Sequence, residues 1–243
     1  MQDLEKIKLF DGSFYDYHYY DDPEPSICGY RGYTEASVNT ALIDLAIALF
    51  QPKSCIDLGC AKGLYVKDFR NKNINAWGVD FSQYAIENIP PEMSRYLFCM
   101  DVLKFAQEHP YRVGMPSKKG NFSLVFMQDL FEHMPLNNCD QLIAELPNLG
   151  QNLFTCFAAL PLDDDPRREQ YEEEWKNAPE HINMLPWNIW EEKFQAMGIP
   201  YFVIYTIRFG HWDIDNVIWR SSFPIPQTLI DKEWQAFLDT LPG

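Results

Sequence analysis

One stretch of the 243-residue chain sets an acid and glycines at a spacing that can bind a small polar ligand: Cys55-Ile56-Asp57-Leu58-Gly59-Cys60-Ala61-Lys62-Gly63-Leu64. An apolar run ends in Asp57, and a glycine-bearing turn then opens a helix. Glycine permits tight turns and lets a ligand approach the backbone, while a helix N-terminus offers free N–H groups. The dinucleotide fingerprint G-x-G-x-x-G is not met, because Ala61 stands at its middle glycine. Asp57 also disfavours a pyrophosphate, since two anions would sit together. A ligand carrying an ammonium and a carboxylate suits the stretch better.

Three more apolar runs end in acidic or polar residues: Gly78-Val79-Asp80-Phe81-Ser82, Cys99-Met100-Asp101-Val102 and Phe126-Met127-Gln128-Asp129. A lone Asp at a strand end is ordinarily a cap or turn former. The ordered series says more, because a parallel sheet delivers every such residue to one edge, where open α/β sheets bind ligands.

The elements that must position these residues follow from periodicity. Strands are expected at Cys55–Leu58, Ala76–Asp80, Tyr96–Met100, Ser123–Gln128 and Leu153–Ala159, with helices near Leu64–Arg70, Tyr84–Asn88, Leu103–Glu108 and Asn138–Leu149 between them. Continuous apolar strands alternating with helices imply a parallel sheet covered on both faces. A helix over Thr34–Phe50, capped by Thr34, precedes them. Helix Trp187–Met197 follows, then strands Tyr201–Phe209 and Asn216–Ser222 as an antiparallel hairpin, then an amphipathic helix with Leu229, Ile230, Trp234, Phe237 and Leu241. The expected architecture is α/β: a seven-stranded, mostly parallel sheet with helices on both faces and a C-terminal antiparallel hairpin. Residues 1–34 form an aromatic N-terminal lid, 35–243 a single domain, and 160–186 a lid loop.

This chain resembles the class I S-adenosylmethionine (SAM)-dependent methyltransferases, whose glycine loop has the form D/E-x-G-x-G-x-G. Asp57, Gly59 and Gly63 match it, and alanine replaces the middle glycine, which requires an ordinary backbone conformation at Ala61. The resemblance spans about residues 30–222 and implies SAM as cofactor, with S-adenosylhomocysteine (SAH) as product. It implies that Asp57, Gly59, Cys60, Ala61 and Gly63 form the cofactor loop. Asp80 takes the ribose hydroxyls, a diol that a carboxylate can hold through both oxygens. Phe81 lies against the adenine, Asp101 and Val102 contact its edge, and the Gln128 backbone holds the ammonium. Phe131-Glu132-His133-Met134-Pro135 resembles the family's E-H-x-P passage, and Glu180-His181-Ile182-Asn183 its H-x-N segment facing the acceptor.

The sulfonium is an activated leaving group, so transfer needs mainly proximity and alignment. A hydroxyl or amine acceptor must also lose a proton. His133, just after the fourth strand, is the first candidate base, and His181 the second. His109 precedes Pro110 at a helix end and is assigned to structure. Tyr15, Tyr19, Tyr20 and Tyr30 offer faces to a sulfonium, and Arg31 suits the cofactor carboxylate.

Composition narrows the partners. A net charge of −15 and a pI near 4.6 argue against nucleic acid, whose binding draws on Lys and Arg. The six cysteines show no CxxC spacing, so neither disulfides nor a metal are expected. No apolar run approaches the ~20 residues of a membrane span, and the cytoplasm is the expected location. The expected acceptor is a small molecule (a sugar, sugar nucleotide or natural-product intermediate) methylated on oxygen or nitrogen. A non-catalytic SAM-fold subunit and a protein or RNA methyltransferase are the alternatives.

Overall fold

The computed structural model describes residues 11–24, 30, 32–116, 122–166, 168–175, 178–196, 202–209, 212–220 and 225–240, with the backbone alone for 202–209 and 212–220. The parallel strands are β1 (Ser54–Leu58), β2 (Asn75–Asp80), β3 (Leu97–Cys99), β4 (Phe122–Gln128) and β5 (Gly150–Ala158). Strands β6 (Phe202–Phe209) and β7 (Trp212–Arg220) run antiparallel to each other, and β7 runs antiparallel to β5. The sheet order is β3-β2-β1-β4-β5-β7-β6.

Chain order reverses direction at β1. The run β1-β2-β3 goes one way and β4-β5 the other, so the crevice opens at the carboxyl ends of β1 and β4. Register then sets the acids. Asp57 pairs with Gly78 on one side and Phe126 on the other, and Asp80 pairs with Cys99.

Helices cover both faces. They are α1 (Tyr17–Tyr20), α2 (Thr40–Phe50), α3 (Leu64–Asn71), α4 (Gln83–Glu87), α5 (Val102–Glu108), α6 (Leu136–Leu149), α7 (Arg168–Trp175), α8 (Trp187–Ala196) and α9 (Gln227–Leu238). One core joins α2, α3 and α9 to the sheet through Leu42, Leu45, Phe69, Phe126, Phe154 and Trp234. Phe126 and Phe154 stack there at 5.8 Å, almost coplanar in orientation. The other joins α5, α6 and α8 through Ile56, Phe105, Val125, Ile143, Phe131 and Trp190. Cys55 and Ile56, neighbours in β1, belong to opposite cores, as period-two side-chain alternation requires.

Three local expectations change. The helix before β1 starts at Thr40, capped by Asn39 through its bond to the Ala41 N–H at 3.1 Å; Thr34 instead caps a single 3₁₀ turn, Glu35–Ser37. Asn39 is the better-placed cap because Val38, between the two turns, is extended. β3 is only three residues long, since Pro91–Tyr96 winds as 3₁₀ before it. The connection between β5 and α8 is not all loop: α7 carries part of its acidic run, and Arg168 pairs with Glu172 at 2.6 Å and Asp163 at 3.0 Å.

Candidate functional site

Asp57, next to last in β1, is 1% exposed, and its Oδ2 has no hydrogen-bond partner among the described residues. Burial, reinforced by the charge on Asp80, pushes the Asp57 carboxyl well above the usual range. Asp80 is also buried, but it accepts the Ser82 N–H on one oxygen and the Ala61 N–H on the other, both at 2.8 Å. Those bonds hold its pKa to a rise to about 6 against the desolvation that drives it up. A buried carboxylate with an unused oxygen costs stability unless a cationic or donor group meets it.

The loop between β1 and α3 is tied down by Val79, whose carbonyl accepts both the Gly59 and Cys60 N–H groups. Gly59 and Gly63 lie in the left-handed region at φ 80° and 71°. Ala61 lies there too, at φ 47°, which corrects the expectation of an ordinary conformation. The turn is held by a tertiary contact, the Ala61 N–H donating to Asp80 at 2.8 Å.

These residues line a cavity of about 300 Å³. Its wall includes Asp57, Gly59, Ala61, Asp80, Phe81, Asp101, Val102, Gln128, Tyr20 and His133 from the sequence reading. Cys60 and Gly63 are not on that wall. Cys60 is buried against β2, where a side chain at Gly78 would stand 2.7 Å from its Sγ, and Gly63 sits over Leu97 at the start of α3. Asp101 reaches the wall while capping α5 through the Lys104 N–H at 2.9 Å. Arg31 and His211 lie outside the described residues. His18 pairs with Asp22 on the surface, and His109 ends α5 in a left-handed turn.

The other side of the cavity is aromatic. Tyr15, Tyr19, Tyr20, Tyr30 and Tyr33 face it in an edge-to-face cluster, with Tyr15 against Tyr19 at 4.8 Å and Tyr30 against Tyr33 at 4.6 Å. Two bonds fasten this segment over the sheet edge: Ser82 Oγ to the Tyr15 carbonyl at 2.5 Å, and Lys62 Nζ to Asp21 at 2.5 Å. Tyr84 donates to the same Asp21 at 2.6 Å. Sequence reasoning missed Tyr33, Tyr65, Asp129 and Asn138 on the wall. The D-x-x-E-H run could have flagged Asp129, but nothing local marked Tyr65, which reaches the site from α3.

His133 ends the 3₁₀ turn after β4 and lines the cavity. Its Nδ1 lies 3.2 Å from the Tyr15 hydroxyl and 3.3 Å from the Glu180 main-chain carbonyl. A carbonyl only accepts, so that contact assigns the proton to Nδ1 and the lone pair to Nε2. His181 packs edge-on against His133 at 4.8 Å. Burial, with His181 adding, lowers the His133 pKa well below the ordinary value, and burial lowers His181 to about 4. Both imidazoles are therefore neutral at pH 7. Glu132, 1% exposed, accepts the Ala158 N–H at 3.1 Å, and its carbonyl accepts from Asn183 at 3.0 Å, which sews the segment carrying His181 to the turn carrying His133.

No helix among the described residues is long and apolar enough to cross a membrane. No curated protein matches the chain in sequence. Among solved structures it is similar to a SAM-dependent methyltransferase from Archaeoglobus fulgidus, with TM-score 0.57 and 12% identity, over 79% of this chain and 95% of that one. The plantazolicin methyltransferase, solved in complex with SAH, matches with TM-score 0.51 and 14% identity over 77% and 87%. An O-methyltransferase family protein from Burkholderia thailandensis matches with TM-score 0.54 and 11% identity over 78% of this chain; the chain spans 57% of that protein's length. The profile of the family described as methyltransferase domain matches residues 30–199, from the aromatic segment through the whole parallel sheet, the glycine loop and both histidines. The chain belongs to that methyltransferase domain family, and its fold is the Rossmann-like fold of the class I, SAM-dependent enzymes.

Proposed function

We propose that this methyltransferase moves a methyl group from SAM to an oxygen or nitrogen of a small-molecule acceptor held under the aromatic segment. When bound, the cofactor supplies a methyl already activated on a sulfonium. The observation that carries the reading is the buried Asp57 oxygen without a hydrogen-bond partner among the described residues, at the wall of a cavity it shares with Asp80 and Asp101.

The residues fit the group. Asp57 offers its carboxylate to an ammonium. Asp80 has a lone pair left on each oxygen after accepting the Ala61 and Ser82 N–H groups, enough for a vicinal diol. Phe81, 41% exposed, presents a flat apolar face for a base, beside Asp101 and Val102. Gln128, Gly59 and Tyr20 share the cavity wall with Asp57. Arg31, Cys60 and Gly63 complete the proposed cofactor set, the last two by shaping the loop. His133 and His181 are the proposed catalytic residues: His133 lines the cavity, and His181, which is not on that wall, packs edge-on behind it at 4.8 Å.

A roofed cavity of this size suits a small acceptor better than a protein or RNA strand. Residues 1–34 and 160–186 act as lids in this reading, and the cytoplasm is the proposed location. Calorimetry with SAH tests the assignment. The chain should bind near-micromolar or tighter, and Asp80→Ala should weaken binding by on the order of 10- to 100-fold through lost charge-assisted bonds. An absence of heat with SAH would refute the function, and an unchanged Asp80→Ala affinity would refute the ribose assignment.

A further inference from the structure

Glu132, His133 and His181 bring three metal-ligating side chains to one point at the edge of the cavity. Each offers one ligand atom, and the three atoms lie within 4.8 Å of one another. We propose that these residues form a binding site for a divalent first-row transition-metal cation, zinc-like in its preference for nitrogen and oxygen, which acts on the acceptor. Spacing along the chain gives no hint of it. The site exists because the Asn183 N–H bonds the Glu132 carbonyl and pulls His181 against His133.

Four observations carry the inference. Two imidazoles and one carboxylate are a donor set that suits first-row cations and leaves coordination positions open for a ligand. His133 already has the supporting contact of a metal ligand: its Nδ1–H is held by the Glu180 carbonyl, which directs the Nε2 lone pair outward. Glu132 is similarly fixed, with one carboxylate oxygen accepting the Ala158 N–H at 3.1 Å, and its carboxylate is one of the three ligand groups brought together. Finally, His133 lines the cavity, so an open position on the cation faces the space an acceptor would fill. Metal–ligand bonds of about 2.0–2.2 Å place donor atoms roughly 3–3.5 Å apart. Closing the site therefore asks for a draw-in of about 1–2 Å, within the reach of rotation at the half-buried His181.

A cation there would draw electron density from an acceptor's hydroxyl or amine and ease loss of its proton to water. The proposal rests on the reading of His133 and His181 as the catalytic pair, and specifies how the pair acts on the proton. Its consequence for the acceptor is a requirement for a ligating heteroatom at or beside the methylated position.

The test uses the full chain, stripped with EDTA, then titrated with Zn²⁺ by calorimetry and with Co²⁺ by visible absorption. One cation per chain and cobalt bands of nitrogen–oxygen ligation are expected. His181→Ala and His133→Ala should each weaken Co²⁺ binding by on the order of 10-fold or more, with measurable SAH binding in each variant as the sign that it still folds. His18→Ala, a change on the surface, should leave the titration as it was. The idea is overturned by a lack of stoichiometric binding, by a cobalt–thiolate band marking cysteine ligation, or by undiminished binding in the His133→Ala/His181→Ala double variant. Failure of SAH to bind the parent would instead strike the methyl-transfer reading, because the cobalt titration reports on the cation site by itself.

Discussion

The Tyr15 hydroxyl stands 3.2 Å from Nδ1 of His133, joining the N-terminal aromatic segment to the turn that follows β4. The same nitrogen faces the Glu180 carbonyl at 3.3 Å, from the segment after α7. Two covering segments thus meet on one atom of a cavity-lining side chain, and the orientation of His133 depends on both being in place.

Tyr15→Phe should keep the fold, because the ring's packing on Tyr19 and Phe81 survives. It removes one hydrogen bond to His133. Turnover should fall about 3- to 10-fold, the effect of one such bond, with SAH affinity nearly unchanged. Steady-state kinetics beside SAH calorimetry check this, and full turnover in the variant would show that the contact orients nothing.

Asp57 and Asp80 predict a pH signature for the ligand-free protein. Their folded-state pKa values are raised, so each contributes stability that is fully present below the unfolded value near 3.8 and lost as pH rises through the folded one. For Asp80 that window runs from about pH 4 to about pH 6 and is worth roughly 3 kcal/mol. The buried His133 and His181, whose pKa values are lowered, gain stability as pH rises over the same range, so the Asp80 share is read as a difference: without ligand the parent should lose thermal stability relative to Asp80→Asn between pH 4 and 6. A gap between the two that stays constant over that range would contradict the assignment.

Asp57→Asn should separate stability from function. It removes a buried carboxylate whose Oδ2 has no hydrogen-bond partner among the described residues and that lies close to Asp80, so the ligand-free protein should melt higher at pH 7.5. SAH binding should weaken by on the order of 10-fold or more, because the ammonium loses its carboxylate. Melting curves with and without SAH decide the point; a variant that both melts lower and binds equally well would sink it.

Ala61→Gly should stabilise the chain. A left-handed alanine carries a steric cost of roughly 1 kcal/mol, and glycine relieves it while the N–H bond to Asp80 stays. Part of that gain is offset by the greater freedom of glycine in the unfolded state. A net rise of about 0.5 kcal/mol is expected in urea denaturation.

Gly63→Ala should do the reverse. Its φ of 71° is left-handed, and a Cβ there would stand 2.5 Å from Leu97 Cδ1. The substitution should cost about 1–3 kcal/mol by strain and overpacking. An unchanged melting temperature would mean that α3 can shift away from β3 without penalty.

The sequence by itself determined the parallel strands, their order of appearance with the helices between, and the delivery of Asp57, Asp80, Asp101 and Gln128 to one edge. These are consequences of local periodicity and of the rule that successive parallel strands end on the same side. It also singled out His133 and His181, through short motifs. What it could not determine was any contact made across segments: the left-handed turn at Ala61, the place of Tyr33 and Tyr65 on the cavity wall, the displacement of Cys60 and Gly63 from it, and the meeting of Glu132, His133 and His181. Side-chain direction in a turn has no period to read. It is set by which distant N–H or carbonyl the turn must satisfy, here Asp80 for Ala61 and Asn183 for Glu132, and those partners are chosen only when the chain has folded.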